Sequence, residues 1–508
     1  MFELLFYVSC YCNNRIMEKE SMKKKSLGLN AFLNGMRSIL NLIFPLITFP
    51  YVSRVLSVSG IGIYNFSNTY ISYFILVAGL GIATYAVREG AKYRDQREKI
   101  EEFSSQVFSI NIIATIIAYL LLFLSLIVFK NLSNYVSCIL IFSLQILFTT
   151  LGTEWIYTIY EDYAYITIRS IVFKIISIIL LFILVRKPSD YLWYAAITVF
   201  SAVGSNILNF IHAKSFIDIH FTFKTKWQYH LKPILVIFAS AVAVTIYVSS
   251  DTTILGLLKN DYAVGIYSTS VKIYQIAQSL LSAILTVTIP RLAMLWGQKR
   301  RKEYNSVLTQ VINTLGILVL PASIGLIMLS REVVLIIAGH KFLPSVNSLR
   351  IITWAIIFSI FSWIFSDCVL IPAKREDKVL RNTLITALIN IILNFALIPA
   401  MSYDGTSLST VLAEFSVMIL NGYSCRDIIK PIIFKKDTVK NLFESIIGCA
   451  GIVVICLLCD FGFNSLILKT IFSVILSVIM YGAILVLLQN KIALSVLDKI
   501  KQVVKSKL

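Results

Sequence analysis

Apolar stretches of eighteen or more residues recur along the whole chain, and no long polar stretch separates them. Each stretch is long enough to cross about 30 Å of hydrocarbon as an α-helix. Charged residues make up 14% of the sequence, against about a quarter in an ordinary soluble domain. The sequence therefore predicts an all-α polytopic membrane protein with no soluble domain.

The apolar pattern predicts about fourteen transmembrane helices. We place them at 28–49, 62–84, 106–129, 135–157, 166–185, 192–211, 233–254, 264–289, 307–329, 348–370, 383–400, 406–424, 443–459 and 466–489. Lys and Arg collect in every second loop, for example around Arg94, Lys226, Arg300 and Arg375. Since cytoplasmic loops carry an excess of basic residues, both termini are expected in the cytoplasm. This bias also accounts for the net charge of +19, so no nucleic-acid partner is expected.

Part of the second helix occurs twice. The triplet GIY at Gly62, with Ser67 after it, returns at Gly265 with Ser270, an offset of 203 residues. At this offset Arg97 also falls on Arg300, and the copies begin six helices apart, so they have the same orientation. Parallel repeats of this kind are typical of transporters with a site between the copies.

The repeat divides the chain into two parallel-related six-helix bundles followed by two extra helices. The expected parts are a cytoplasmic N-terminal segment (1–27), an N-terminal bundle (28–211), a cytoplasmic linker (212–232), a C-terminal bundle (233–426), helices thirteen and fourteen (427–490) and a basic cytoplasmic tail (491–508). Residues 1–16 are interpreted either as an extension that precedes the true start or as a frayed tail. We expect the two bundles to form a V around a central cavity.

Four ionisable residues fall near the middle of predicted helices, where charge is costly and usually faces a protein interior. They are the cations Arg37, Lys174 and Lys272, and the acid Glu414. A cavity with excess positive charge suits an anionic substrate. A purely structural pairing of Glu414 with Lys272 is the alternative.

No enzymatic or cofactor motif accompanies these charges. The sequence contains no phosphate-binding loop, nucleophile elbow or zinc-protease motif. Cys456 and Cys459 have metal-like spacing, but they lie in an apolar run without a nearby histidine, so we expect them to pack as small apolar residues. We therefore expect a transporter rather than an enzyme, without a cofactor.

Several stretches together resemble a known family. They are PYVSRVL at Pro50–Leu56, GIGIYNF at Gly60–Phe66, Glu154–Arg169, VRKPSDY at Val185–Tyr191, and DTTILGLLKNDYAVGIY at Asp251–Tyr267. In these stretches the chain resembles Wzx-type O-antigen flippases, in the polysaccharide transporter branch of the multidrug/oligosaccharidyl-lipid/polysaccharide exporter superfamily. Two loop positions depart from the family pattern: Ser57 and Ile159 stand where glycine is usual.

The resemblance implies a MATE-like fold in a bacterial inner membrane. It implies movement of undecaprenyl-diphosphate-linked oligosaccharide, an O-antigen or capsule unit, from the cytoplasmic to the outer leaflet by alternating access. Membrane lipid, a glycan polymerase and a chain-length regulator are the further expected partners, and the identity of the sugar is left open. Besides the three cations, Arg54, Tyr64 and Tyr267 are candidate substrate-binding residues.

Three other functions remain open. A drug/cation antiporter of the same superfamily would rely on a dominant deep acid, and a glycan polymerase or ligase would carry a large outer loop. A non-transporting scaffold would not need deep charge in both halves. Because the chain lacks an ATP-binding motif, an H⁺ or Na⁺ gradient is the expected energy source. Glu414 is the first candidate for ion coupling, followed by Asp251 and Asp367.

Overall fold

The computed structural model describes residues 44–214, 217–463 and 465–505. Its first helices are α1 (44–55), α2 (Val58–Gly79), α3 (Ile82–Gly90), α4 (Arg97–Val128), α5 (Val136–Gly152), α6 (Glu154–Ile159), α7 (Tyr163–Leu184), α8 (Tyr191–Val203) and α9 (Asn206–Ala213). The later ones are α10 (Trp227–Leu258), α11 (Asp261–Gly297), α12 (Arg301–Met328), α13 (Ser330–Ile337), α14 (Ser345–Ile352), α15 (Trp354–Trp363), α16 (Glu376–Ser424), α17 (Arg426–Ile433), α18 (Lys436–Gly462), α19 (Leu466–Leu487) and α20 (Lys491–Lys505).

The described residues form helices and turns, without a β-strand. Twelve spans among them are long and apolar enough to cross a membrane. The predicted all-α polytopic membrane class is therefore confirmed. The count of fourteen stays a prediction, because most of the predicted first helix (28–49), including Arg37, lies outside the described residues.

The longest helix, α16, is folded back on itself. Its 49 residues contain one non-helical position, Ser402 (φ 52°, ψ −130°). A continuous helix of this length would extend about 74 Å, more than twice the hydrocarbon thickness. Asn382 donates to Asn421 over 2.9 Å, and Asn390 donates to Ser409 over 3.3 Å. These bonds join the two arms, which coincide with the separately predicted helices 383–400 and 406–424.

One hydrophobic core runs through both sequence halves. In the first half α2 packs on α4, α5 and α8, and α7 packs on α8. In the second half α10 and α15 pack on α16, and α14 packs on α11 and α16. The division into two six-helix bundles stays a prediction.

The repeated helices α2 and α11 meet through a reciprocal backbone contact. A Cβ added to Gly62 would lie 1.8 Å from the backbone oxygen of Asp261, and one added to Gly265 would lie 2.2 Å from that of Val58. Asp261 follows Val58 by the same 203 residues that separate the two glycines. Val58 and Asp261 are thus equivalent positions of the repeat. The glycine of each copy contacts this position in the other copy, as a two-fold relationship requires.

Side chains of the first half also bind carbonyl groups of the second beside this contact. Ser53 Oγ donates to Ile337 O over 3.1 Å, Lys341 Nζ donates to Arg54 O over 3.0 Å, and the Arg54 guanidinium donates to Ile336 O. We call this side of the protein the opposite end, because it lies across the protein from the loops rich in Lys and Arg. The basic end is the other side, with loops 91–96, 217–226, 298–300, 371–375 and 434–435.

A loop of the sequence resemblance, 185–190, supports the opposite end. Tyr51 OH donates to Val185 O over 2.7 Å, and Ser57 N donates to Pro188 O over 3.1 Å. The carboxylate of Asp190 accepts the backbone N–H groups of residues 186 and 187, and these bonds lower its pKa. The loop thereby holds the end of α1 against the start of α8.

The C-terminal hairpin α18–α19 packs against α12. Tyr481 OH donates to Ile317 O over 2.8 Å. Lys469 of α19 donates to the buried Glu332 over 2.6 Å and also to Asp460. A buried ion pair thus fixes this hairpin to α13.

The folded-back α16 generates a topology prediction. In a background without the native cysteines, Lys374→Cys and Lys435→Cys should react with a membrane-impermeant maleimide from one side of the membrane, and Met401→Cys from the other. The reason is that α16 crosses the membrane twice, so its two ends share a side. Labelling of intact and permeabilised cells measures this. Reaction of positions 374 and 435 from opposite sides would show a single crossing.

Candidate functional site

A cavity of about 90 Å³ lies between the repeated helices α2 and α11. Its lining consists of Phe49, Val52, Ile61, Tyr64, Asn65, Asn68, Tyr194, Ser268 and Lys272. Lys272 is the one charged group of this lining. Asn65 and Ser268 are equivalent positions of the repeat, so both copies contribute polar groups. We call this space the inter-repeat cavity.

Tyr64 forms one wall of the inter-repeat cavity. Its ring stacks on Tyr194 with the centroids 4.2 Å apart, and its hydroxyl lies 3.1 Å from Thr198 Oγ1. The ring of Phe142 meets it edge-on at 5.3 Å. The wall is therefore an aromatic surface with fixed orientation.

Lys272 is half-buried and makes no ion pair in the part of the chain that the structure describes. The predicted structural pairing with Glu414 is not found there. Glu414 instead lies close enough to interact electrostatically with Tyr247, Tyr274 and Asp251. A half-buried ammonium group thus faces a polar cavity without a neighbouring carboxylate.

Asp251 lies at the centre of a buried hydrogen-bond network of α10, α11 and α16. Its side chain is 6% exposed. Asn394 Nδ2 donates to Oδ1 over 2.6 Å, while Thr410 Oγ1 and Tyr267 OH donate to Oδ2 over 2.6 Å and 2.9 Å. Asn390 Oδ1 accepts from Ser250 over 2.9 Å and from Asn394 over 3.1 Å. Two carboxyl groups, those of Asp251 and Glu414, therefore lie near one another among neutral oxygen atoms.

The predicted tyrosine pair divides between two places. Tyr64 lines the inter-repeat cavity, whereas Tyr267, its repeat equivalent, is 2% exposed and binds Asp251. The two residues thus occupy equivalent sequence positions with different surroundings.

The other predicted residues lie elsewhere. Arg54 is exposed and joins the halves at the opposite end, and Lys174 is half-buried on α7. Asp367 lies in the π-helix Ile364–Leu370, where its Oδ1 accepts from Ser366 over 2.9 Å. Arg37 lies outside the described residues. The structure therefore joins Tyr64 with Lys272 at one site, and Asp251 with Glu414 and Tyr267 at another.

Neutral polar residues of both sites escaped the sequence analysis, which considered charge and aromatic rings. Asn390 and Asn394 are spaced i, i+4, so they lie on one helix face. Both are almost fully buried inside an apolar run. Amide side chains with this spacing in a membrane helix were the signal that could have identified the network.

The sequence profile of the family described as "Polysaccharide biosynthesis protein" matches residues 27–296. The "Putative O-antigen transporter" of Shigella dysenteriae is 25% identical over 390 residues, covering 75% of this chain and 95% of that protein. The "Lipid II flippase MurJ" of Bacillus subtilis is 25% identical over 191 residues, covering 35% of this chain and 34% of that protein.

Two solved structures share the fold. The inward closed conformation of a lipid II flippase, MurJ, superposes with a TM-score of 0.71 at 17% identity, over 90% of this chain and 98% of that one. An inward-facing MATE family transporter gives a TM-score of 0.59 at 12% identity, over 78% and 99%. The expected MATE-like fold is confirmed by these neighbours. Because the family profile covers more than half of the sequence, the chain belongs to the polysaccharide biosynthesis protein family.

Proposed function

We propose that the protein is a flippase for lipid-linked glycans. It moves an undecaprenyl-diphosphate-linked oligosaccharide from the cytoplasmic to the outer leaflet of a bacterial inner membrane, with its basic end in the cytoplasm. The observation that carries the proposal is the inter-repeat cavity with Lys272, which has no ion-pair partner among the described residues. The relatives named as an O-antigen transporter and as a lipid II flippase support the same class of substrate.

Lys272 supplies the attraction for the diphosphate. Its charge acts in a low-dielectric setting, where attraction to phosphate is stronger than in water. Tyr64 and Asn68 supply an aromatic face and an amide beside it. The cavity volume of about 90 Å³ is below the range for small-ligand sites, so in this conformation it has room for only part of a headgroup. A larger glycan needs a wider opening between the halves.

Alternating access would provide this opening. The contact of Gly62 and Gly265 with the facing backbone closes the opposite end. The nearby hydrogen bonds of Arg54 and Lys341 to carbonyl oxygens are few and exposed, so they can break and re-form. Release to the outer leaflet requires separation of α2 from α11 at this contact.

The Asp251 network is the proposed coupling site. A carboxylate with hydroxyl oxygens beside it suits a hard cation such as Na⁺. Binding requires the Thr410 and Tyr267 hydroxyls, which donate to Asp251 in this structure, to turn their hydrogens away. Glu414 next to it is a candidate proton carrier. Because both acids lie on helices that pack on α11, ion binding there can bias the arrangement of α11 against α2. A glycan polymerase and a chain-length regulator are proposed partners that use the product.

A drug/cation antiporter is the second candidate, and the neighbouring acids Asp251 and Glu414 are the observation that favours it. An antiporter should transport cationic dyes, and the acid variants should lose this transport. The inter-repeat cavity favours the flippase, because its one charged group is a cation.

Replacing Lys272 should reduce glycan export without lowering the thermal stability of the protein. We expect Lys272→Glu to reduce surface glycan at least about tenfold and Lys272→Met to reduce it less, because the anion then loses its counter-charge. The Tm of Lys272→Met should equal or exceed that of the wild type, since a partly desolvated ammonium group is removed. Lys469→Met is the matched control, and its Tm should fall because Glu332 loses its buried partner. Normal glycan export by Lys272→Glu would refute the role of the cavity.

Neutralising the coupling acids should uncouple flipping from ion gradients. In liposomes with imposed pH or Na⁺ gradients, Asp251→Asn is expected to abolish the response to Na⁺, and Glu414→Gln the response to pH. Asp404→Asn is the control, because Asp404 lies on α16 like Glu414 but binds Asn347. This variant should respond to both gradients as the wild type does. If both acid variants respond fully to both gradients, the coupling site lies elsewhere, or polymerisation of the glycan drives transport.

A further inference from the structure

A second cavity, of about 340 Å³, opens at the basic end between the starts of α4 and α10. Its lining consists of Tyr93, Lys99, Glu102, Phe103, Gln106, Lys226, Tyr229 and His230. His230 and Asp251 are 21 residues apart on α10, or about 31 Å. This basic-end pocket is therefore separate from the coupling network.

The floor of the basic-end pocket is fixed by a buried histidine. His230 is 2% exposed. Its Nδ1 lies 2.8 Å from the hydroxyl of Tyr85, and its Nε2 lies 2.8 Å from Gln106 Oε1. The ring of Phe103 lies 5.7 Å from the imidazole, centroid to centroid. Both ring nitrogens have partners, so the imidazole holds the floor and does not itself need a ligand.

The linker is attached to α4 and fixes the rim. Thr222 N donates to Ser109 Oγ over 2.8 Å, and Lys226 N donates to Gln106 Oε1 over 3.3 Å. The Lys226 ammonium group pairs with Glu102 over 2.9 Å. Lys226 and the start of α10 are thereby held beside α4, and a ligand would meet a preorganised surface.

The groups that remain available at the rim are aromatic and basic. The hydroxyls of Tyr93 and Tyr229 lie 3.4 Å apart, and the rings of Tyr93 and Phe103 are 5.7 Å apart between centroids. Tyr229 is 51% exposed, and Lys99 is exposed beside it. Sugar rings have an apolar C–H face and a hydroxyl edge, so they match aromatic rings that carry hydroxyls. Because Lys226 is paired with Glu102, Lys99 is the lining lysine that favours acidic sugars.

The position fits a substrate that is anchored in the membrane. The pocket lies at the ends of two spanning helices, on the side where the basic loops predict the cytoplasm. The glycan of a lipid-linked substrate is in water on that side, while its lipid remains in the bilayer. A pocket at this level can therefore contact the glycan before the diphosphate enters the inter-repeat cavity.

We propose that the basic-end pocket is a docking site for the glycan of the substrate, with acidic sugars as the preferred class. The proposal rests on the proposed function, since a lipid-linked glycan must be the substrate. It assigns recognition of the sugar to Tyr93, Tyr229 and Lys99, apart from the recognition of the diphosphate by Lys272.

The test compares two probes that differ only in the glycan: undecaprenyl diphosphate that carries a short uronic-acid-containing oligosaccharide, and undecaprenyl diphosphate alone. Equilibrium binding to the purified protein is measured. Tyr93→Ala with Tyr229→Ala, and separately Lys99→Glu, should weaken binding of the glycan-bearing probe by about tenfold, on the order of one lost aromatic or charged contact. Binding of the bare lipid should stay unchanged.

Tyr423→Ala and Lys224→Ala are matched controls, because both residues are exposed at the basic end and neither lines the pocket. Both should bind the two probes as the wild type does. Unchanged binding of the glycan-bearing probe by both pocket variants would overturn the docking site and leave the flippase proposal intact. Equal loss of both probes would also overturn it. A wild-type protein that binds neither probe would contradict the proposed function itself.

Discussion

The close approach of α2 and α11 is the contact on which the rest of the account depends. Gly62 and Gly265 each face a backbone oxygen of the other helix at a distance that leaves no space for a Cβ. In a membrane, small residues at such contacts let helices pack closely without a hydrophobic driving force. The same two helices line the inter-repeat cavity. In the proposed mechanism this helix pair therefore provides both the closure at the opposite end and the binding site.

Four charged groups inside the membrane region show how the cost of burying a charge is met or left unmet. Lys469 and Glu332 are buried as a pair and fix the C-terminal hairpin. Asp251 is buried among donors, each of which offers it a hydrogen. Within residues 44–214, 217–463 and 465–505, Lys272 has neither kind of partner, and a cation at this depth is costly without one. We interpret that cost as the preparation of the cavity for an anionic substrate.

Sequence reasoning predicted the all-α membrane class and many of the spanning helices, because apolar length is read directly from the chain. It placed the bend of α16 between 400 and 406, and it identified the register of the repeat through Gly62 and Gly265. It did not predict that Tyr64 and Tyr267 have different neighbours, since those depend on α8 and α16. The alternative pairing of Lys272 with Glu414 is not found among the described residues, because depth in the membrane does not determine which face of a helix a residue occupies. The basic-end pocket was also missed, because its residues lie on two distant segments.

A reversible cross-link between the halves tests alternating access most directly. The hydroxyls of Ser72 on α2 and Ser249 on α10 lie 3.5 Å apart, and those of Ser348 and Ser407, both in the second half, lie 2.6 Å apart. Each pair would be changed to cysteine in a background without native cysteines, and flipping of a labelled lipid-linked oligosaccharide would be measured in liposomes. Oxidation of the 72–249 pair should stop flipping, reduction should restore it, and the 348–407 pair should leave it unchanged. Undiminished flipping by the fully cross-linked 72–249 protein would contradict the account.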